Sequence, residues 1–317
     1  MLTHEPTKQD IIEAHKRIKH LIYFTPIFSS RTLNSIFECK IFFKCENFQR
    51  SGSFKFRGAC NAVLSLNKGE WRKGVATHSS GNHAAALALA AKLKNMNAYV
   101  VMPKTAPQIK KTAAESYGAK ITYCDATIQS REETLAQVVV DTGAAFVHPY
   151  DNYSIIAGQA TCAREILEEI TDLDFLIAPV SGGGLISGTS LSVKYFAPRT
   201  RIIGAEPKGA DDAYRSMKEG SIQPSENPQT ICDGLQAQLS RRTFPIIQTN
   251  VSEIITVDDT STITAMRMIW ERMKIIVEPS AAITLGTIIE NKRRFKGKRI
   301  GLILSGGNAD LEKLPWQ

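Results

Sequence analysis

Short apolar runs alternate with stretches of helical periodicity along most of the 317 residues. Thr7 and Asp10 read as a helix cap ahead of Ile11-Ile12, Ile18 and Leu21-Ile22. Thr25-Pro26 marks the end of that helix, because proline disfavours helical backbone in the residue before it. Strand-like runs then occupy 40–44, 74–77, 98–102 and 120–123, separated by helical patterns at 58–66, 83–93 and 106–117 and followed by another at 131–141. A second set follows, with a helix at 155–170, a strand at 175–180, a helix after Gly184, and strands at 201–205 and 299–304. Repeated strand–helix units specify parallel sheets with helices on both faces. No Pro/Gly/Ser-rich linker or internal repeat separates the two sets. The expectation is an α/β protein of two open, twisted parallel sheets facing each other across a cleft, with ligands at the carboxyl ends of the strands.

Composition narrows the class. A chain with 43% hydrophobic and 22% charged residues is ordinary for a soluble protein with a sizeable core. The length suits one very large domain or two ordinary ones. Met1-Leu2-Thr3-His4-Glu5-Pro6 lacks the apolar core of a signal peptide, and no apolar run could span a bilayer. Cys39, Cys45, Cys60, Cys124, Cys162 and Cys232 are scattered without a CxxC pair, so zinc and disulfide frameworks are not expected and a cytoplasmic location is. The net charge of +8 raises the question of nucleic acid. The densest basic run, Lys292-Arg293-Arg294-Phe295-Lys296-Gly297-Lys298-Arg299, closes a helix and enters an apolar strand. Cations favour a helix C-terminus, so a solvated helix end accounts for it. With no RNP-like, zinc-finger or aromatic-interleaved basic pattern, no nucleic-acid partner is expected. The excess charge suits anionic substrates and cofactors instead.

Candidate chemistry sits at one lysine and three glycine-rich corners. In Ser51-Gly52-Ser53-Phe54-Lys55-Phe56-Arg57-Gly58, small residues let backbone approach a ligand while an aromatic ring covers its face. A desolvated lysine there could form a Schiff base with an aldehyde, although a surface lysine in a polar turn is the plainer reading of the octet alone. Ser79-Ser80-Gly81-Asn82-His83 joins a strand to a helix, where open amides form an anion site unless a serine merely caps the helix. Ser181-Gly182-Gly183-Gly184-Leu185 follows another apolar strand. Three glycines in a row cost roughly 0.5–1 kcal/mol each against alanine, and phosphate binding or a tight turn would explain them. The run is neither a Walker A loop nor GxGxxG. Ser305-Gly306-Gly307-Asn308 ends the last strand.

Taken together, Ser53-Phe54-Lys55-Phe56-Arg57-Gly58-Ala59, Ser79-Ser80-Gly81-Asn82-His83, Ala157-Gly158-Gln159, Gly182-Gly183-Gly184-Leu185, Glu278-Pro279-Ser280 and Ser305-Gly306-Gly307-Asn308 resemble the fold type II pyridoxal-phosphate enzymes, within the serine racemase and threonine/serine dehydratase group. The resemblance runs over nearly the whole chain. It implies a tryptophan synthase β-like architecture, with a large domain of 1–68 and 152–317, a small mobile domain of 69–151, and the active site between them. It implies pyridoxal 5′-phosphate as cofactor, a small amino-acid substrate and a homodimer. Lys55 would carry the cofactor and act as base on one face of Cα, with Phe54 beside the ring and Asn82 on the 3′-oxygen. Gly182, Gly183, Gly184 and Leu185 would give amides to the phosphate, and Ser305 would meet the pyridine nitrogen. A hydroxyl there does not hold the nitrogen protonated, so early loss of a β-substituent is favoured over a long-lived carbanion. Ser79, Ser80, Gly81, Asn82 and His83 would bind substrate. Ser80 faces the opposite side of Cα in racemase-like members, which permits racemisation without proving it.

In Glu206-Pro207-Lys208-Gly209-Ala210-Asp211-Asp212, composition alone favours an acidic surface turn. The resemblance instead implies a divalent cation (Mg²⁺, Mn²⁺ or Ca²⁺) held by Glu206, the Ala210 carbonyl and Asp212. Three positions depart from the family pattern. Ser181 stands where a fourth glycine is common, Ala85 where nucleotide-responsive racemases carry Gln, and Tyr150 where the vertebrate racemase has Asn. The expected function is an ammonia-lyase of L-threonine and L-serine. The alternatives are a serine racemase with side dehydratase activity and a 3-hydroxyaspartate ammonia-lyase. For the last, Arg131 would take the second carboxylate, since arginine suits bidentate binding. β-Replacement and a non-catalytic carrier are disfavoured by the octet, the metal-type loop and the intact Lys55 and Ser80.

Overall fold

Two sheets carry the alternation in the computed structural model, which describes every residue except Ser80, Pro107 and Gln317, and only the backbone of Ile109. In chain order the strands are β1 Ile27–Phe28, β2 Lys40–Cys45, β3 Val75–His78, β4 Ala98–Pro103, β5 Ala119–Cys124, β6 Ala145–Phe146, β7 Phe175–Pro179, β8 Arg201–Pro207, β9 Glu253–Val257 and β10 Arg299–Leu304. One sheet has the order β1-β2-β10-β7-β8-β9 and the other β5-β4-β3-β6. The pairings are parallel except at one edge, where β1 runs antiparallel to β2. The six-stranded sheet is buried on both faces, which is why its strands read as continuous apolar runs. Phe175, Ile177, Ile203 and Leu302 enter one core, while Leu176, Ala178, Ile202 and Ile303 enter the other.

The structure corrects several boundaries. The first helix spans Lys8–Ile18 under the expected Thr7/Asp10 capping box, but stops well before Pro26. The next expected helix begins at Lys55 instead of residue 58. Its start is set by a long-range contact, because Ser53 pairs with Gly306 and closes the turn just ahead of it. Strands β1 and β9 were not anticipated. The basic run is matched by acids from distant segments: Lys292 and Lys296 reach Glu38, Arg294 reaches Glu253, and Lys298 reaches Asp174. All six cysteines are buried and unpaired. Among the described residues no helix is long and apolar enough to cross a membrane.

The helix Lys55–Leu64 is fixed from behind. It crosses Tyr153–Glu169 so closely that a Cβ on Gly158 would lie 2.7 Å from the Arg57 carbonyl oxygen. Beside this crossing, Arg57 donates to Glu46 at 2.7 and 2.8 Å and to Glu165 at 2.6 and 2.7 Å, while Lys44 donates to Glu165 at 2.7 Å. These four side chains are fully buried, and two cations balance two carboxylates. Burial opposes the charge on Glu46, but the Arg57 guanidinium more than offsets it and holds the carboxyl below its ordinary range.

Candidate active site

The turn before Lys55 brings it to the end of β10. Ser51 and Gly52 take left-handed backbone, with φ of 58° and 73°. The Phe54 amide donates to the Ser305 carbonyl at 3.0 Å and the Gly307 amide to Gly52 at 2.9 Å. Lys55 therefore opens its helix directly beside the Ser-Gly-Gly corner. Its side chain is partly buried, and its Nζ donates to the Pro149 carbonyl at 3.1 Å and lies 5.1 Å from the centre of the Phe54 ring. Removal from bulk water lowers the amine to about 8, with Glu278 opposing the shift.

The glycine corner lies under Tyr150. A Cβ on Gly182 would fall 2.5 Å from the Tyr150 ring, and one on Gly184 2.9 Å from the Tyr150 Cβ. Gly183, with φ of 88°, heads the helix Gly184–Phe196 without a side-chain cap, so first-turn amides, including that of Leu185, are open to an anion. Ser181 takes φ of 52° where glycine would be unstrained. Ser305 is buried, and its hydroxyl donates only weakly, to the Ser280 carbonyl at 3.4 Å.

Asn82 starts the helix Asn82–Lys92, whose N-cap is Gly81, again without a side-chain cap. The Gly81 amide donates to the Ser79 hydroxyl at 3.3 Å. His83 is buried and donates from Nε2 to the Val147 carbonyl at 3.3 Å, which leaves Nδ1 as an acceptor without a partner among the described residues. Ser80 lies outside the described residues. His78 and His148 stack edge to face at 5.6 Å, and His148 meets Tyr150 at 4.6 Å. Burial pulls both imidazoles down to about 4, so this wall is uncharged near neutrality. Lys55 and Arg242 act on His148, and Arg131, in the helix Ile128–Thr142, acts on His78. The Arg131 Nε is buried and has no hydrogen-bond partner among the described residues.

Glu206 and Asp212 stand beside the glycine corner, because β8 and β7 are neighbours and the Val180 amide donates to Ala205. Glu206 accepts from the amides of Ala213 and Tyr214 at 2.9 and 2.7 Å. Both carboxyls are buried, as is Ala210, and Asp212 Oδ2 has no partner among the described residues. Burial, reinforced by Asp212, pushes Glu206 up to about 8, and burial raises Asp212 to about 6. Two adjoining carboxyls that resist ionisation fit a cation between them. Among the described residues no group of three or more His, Cys, Asp or Glu side chains forms a metal cage, so a backbone carbonyl and water would complete the shell.

Sequence reasoning assigned no role to Glu278, which accepts from Asn82 Nδ2 at 2.8 Å. Its local signal is membership of the Glu278-Pro279-Ser280 motif, which by itself gives the carboxylate no partner.

Residues 18–306 match the family model described as "Pyridoxal-phosphate dependent enzyme". A β-hydroxyaspartate dehydratase of Paracoccus denitrificans is 51% identical over 98% of this chain and 99% of its own. A serine racemase of Dictyostelium discoideum is 46% identical over 97% and 96%. The structure of maize serine racemase superposes with a TM-score of 0.95 at 44% identity, covering 98% of this chain and 95% of that one.

Proposed function

The chain belongs to the pyridoxal-phosphate dependent enzymes, and from that premise we propose that it is an ammonia-lyase of β-hydroxy amino acids, with 3-hydroxyaspartate as its preferred substrate. The observation that carries the chemistry is Lys55, a desolvated amine whose basicity is lowered to about 8 beside two open helix N-termini. The donor set fits the cofactor: an amine for its aldehyde, the amides of Gly182, Gly184 and Leu185 for its phosphate, Phe54 for its ring face, Asn82 for its ring oxygen and Ser305 for its ring nitrogen. The expected Gly183 amide is instead engaged in the turn, donating to the Val180 carbonyl at 3.1 Å, so Gly183 serves the phosphate corner through its left-handed backbone. Bound there, pyridoxal phosphate supplies an electron sink for the pair left at Cα when its proton departs. Lys55 takes that proton, because a fraction of an amine near 8 is unprotonated at neutral pH. Ser79, Gly81, Asn82 and His83 orient the substrate carboxylate at the helix start. The uncharged wall of His78, His148 and Tyr150 limits water. Loss of β-hydroxide and hydrolysis of the resulting enamine release a 2-oxo acid and ammonia. We take 69–151, which carries Asn82 and Arg131, as the mobile small domain of a homodimeric enzyme, with 1–68 and 152–317 as the large domain.

Arg131 supports the diacid substrate, since its buried Nε lacks an acceptor among the described residues and the imidazoles beside it are neutral. The similarity to a β-hydroxyaspartate dehydratase points the same way. Serine racemisation is the second reading, resting on Ser80 and on the serine racemase relatives. L-Serine, D-serine, L-threonine and 3-hydroxyaspartate should be offered side by side, with oxo acid and enantiomer measured together. Arg131→Ala is expected to lower kcat/KM for hydroxyaspartate by about 100-fold while leaving serine nearly unchanged. Ser80→Ala is expected to cost on the order of 10²–10⁴ in racemisation and D-serine dehydration, with L-elimination less affected. A wild-type protein that ignores hydroxyaspartate ends the diacid reading and leaves serine and threonine dehydration. Equal losses for both serine enantiomers would assign Ser80 to carboxylate binding.

The same reading gives Glu206, the Ala210 carbonyl and Asp212 to Mg²⁺, Mn²⁺ or Ca²⁺. A cation that binds only the folded state at 100 times its Kd adds about 2.7 kcal/mol. Chelation is therefore expected to lower Tm and activity together, and any of the three ions to restore both. Protein purified without chelator that holds no divalent ion, and whose Tm is indifferent to chelator, would remove the site.

A further inference from the structure

Glu278 is a buried carboxylate at the site with no part in the reading above. Its backbone is tied at both ends: its amide donates to Gly306 at 3.1 Å, and its carbonyl accepts from Ala281 and Ala282. The side chain makes no ion pair among the described residues. Oε1 and Oε2 accept from Asn82 Nδ2 at 2.8 and 3.2 Å. A Cβ on Gly306 would lie 2.5 Å from Oε1, so that residue is glycine where the carboxylate needs room. At the other end of the Asn82 amide, Asn308 Nδ2 donates to Oδ1 at 2.8 Å and also to the Ser51 carbonyl at 2.9 Å.

An asparagine amide has a donor edge and an acceptor edge, and rotation by half a turn exchanges them. A carboxylate can only accept, so Glu278 selects the donor edge of Asn82. The Ser51 carbonyl forces Asn308 to present its own donor edge, which selects the Asn82 acceptor. Both contacts choose the same orientation, and both come from segments outside the four-stranded lobe that carries Asn82. We propose that Glu278 is a positioning residue that locks the Asn82 amide with its NH₂ edge inward. One amide proton goes to Glu278 and the second is left to donate to the ring oxygen of pyridoxal phosphate. This rests on the family reading of Asn82.

The groups facing Glu278 are Asp233 from the loop before the helix Thr243–Asn250, Lys110 from Gln108–Ser116, Lys55, Asn82 and the Asn308 backbone. Lys110 and Asp233 pair with each other. Burial, then Asp233, pushes the Glu278 carboxyl up to about 7, against the Asn82 hydrogen bond and Lys110. Once protonated, Glu278 can donate as well as accept, and the choice of edge then rests on Asn308 alone. The lock therefore holds above about pH 7 and loosens below it.

The test compares wild-type, Glu278→Gln, Asn82→Ala and the double variant. It reads pyridoxal-phosphate affinity of the apoprotein, the pH profile of visible absorbance in the loaded protein, Tm and kcat. Glu278→Gln is expected to weaken cofactor binding about 10-fold, to flatten the absorbance change near pH 7 and to lower kcat about 10–100-fold. Asn82→Ala should do the same, and the double variant should add little, because both act through one contact. Should Glu278→Gln fail to fold, Asn308→Ala leaves Glu278 as the one remaining lock and should steepen the same profile. Wild-type affinity and pH profile in Glu278→Gln, or full additivity with Asn82→Ala, would overturn the proposal. A wild-type protein that does not bind pyridoxal phosphate would instead overturn the reading beneath it.

Discussion

Lys55→Ala is expected to abolish turnover and the visible absorbance of the cofactor-loaded protein together. Loss of a positioned base alone costs on the order of 10²–10⁴ in rate, and this substitution also removes the amine that captures the aldehyde. Lys44 is buried more completely, but its ammonium is engaged by Glu165 and the Thr25 carbonyl at 2.7 Å each, so it does not substitute. Among the described residues Lys55 has a single hydrogen-bond partner, the Pro149 carbonyl, and its amine is lowered to about 8. The rate of cofactor capture by wild-type apoprotein should accordingly rise with pH and level off above about 8. Borohydride reduction followed by peptide mapping checks the assignment. Colour retained in Lys55→Ala and fixed onto another lysine would refute it.

Arg57→Leu is expected to cost about 3–5 kcal/mol of folding stability. Glu46 and Glu165 lie fully buried on either side of the guanidinium, and its removal leaves two carboxylates to Lys44 alone. That is a large share of the roughly 5–15 kcal/mol that holds a typical domain together. Urea unfolding followed by tryptophan fluorescence gives the change in midpoint. Because Glu46 is held below its ordinary range, its contribution is present above the normal carboxylate pKa and lost as the pH falls through the folded value. The gap between wild type and variant should therefore narrow in acid. A loss under about 1 kcal/mol at neutral pH would mean that water reaches these carboxylates after all.

The sequence by itself determined the parts of this protein whose physics is local. Alternating apolar runs and helical stretches sufficed for parallel sheets, since the period of burial is written residue by residue. Lys55 and the corners at Gly81 and Gly182–Gly184 were legible because small residues between a strand and a helix leave backbone amides bare, which suits an anion. The family resemblance then supplied roles that spacing alone left open. Tertiary structure decided what depends on partners far along the chain. Asn82 and Glu278 are 196 residues apart, and nothing near either predicts that one orients the other. Arg57 was read only as part of the octet, and its partner Glu165 lies 108 residues away, with both side chains buried. The helix start at Lys55 follows from a bridge to Gly306, so its boundary could not be read from helix propensity. The basic run was placed correctly at a helix end, but its acids, Glu38, Asp174 and Glu253, became visible only on folding. At Glu206 and Asp212 composition alone favoured a surface turn, and only the family resemblance pointed to a cation. Burial of both carboxyls, with Asp212 Oδ2 unpartnered among the described residues, favours the cation, because desolvation makes unpaired charge costly only where the chain has closed around it.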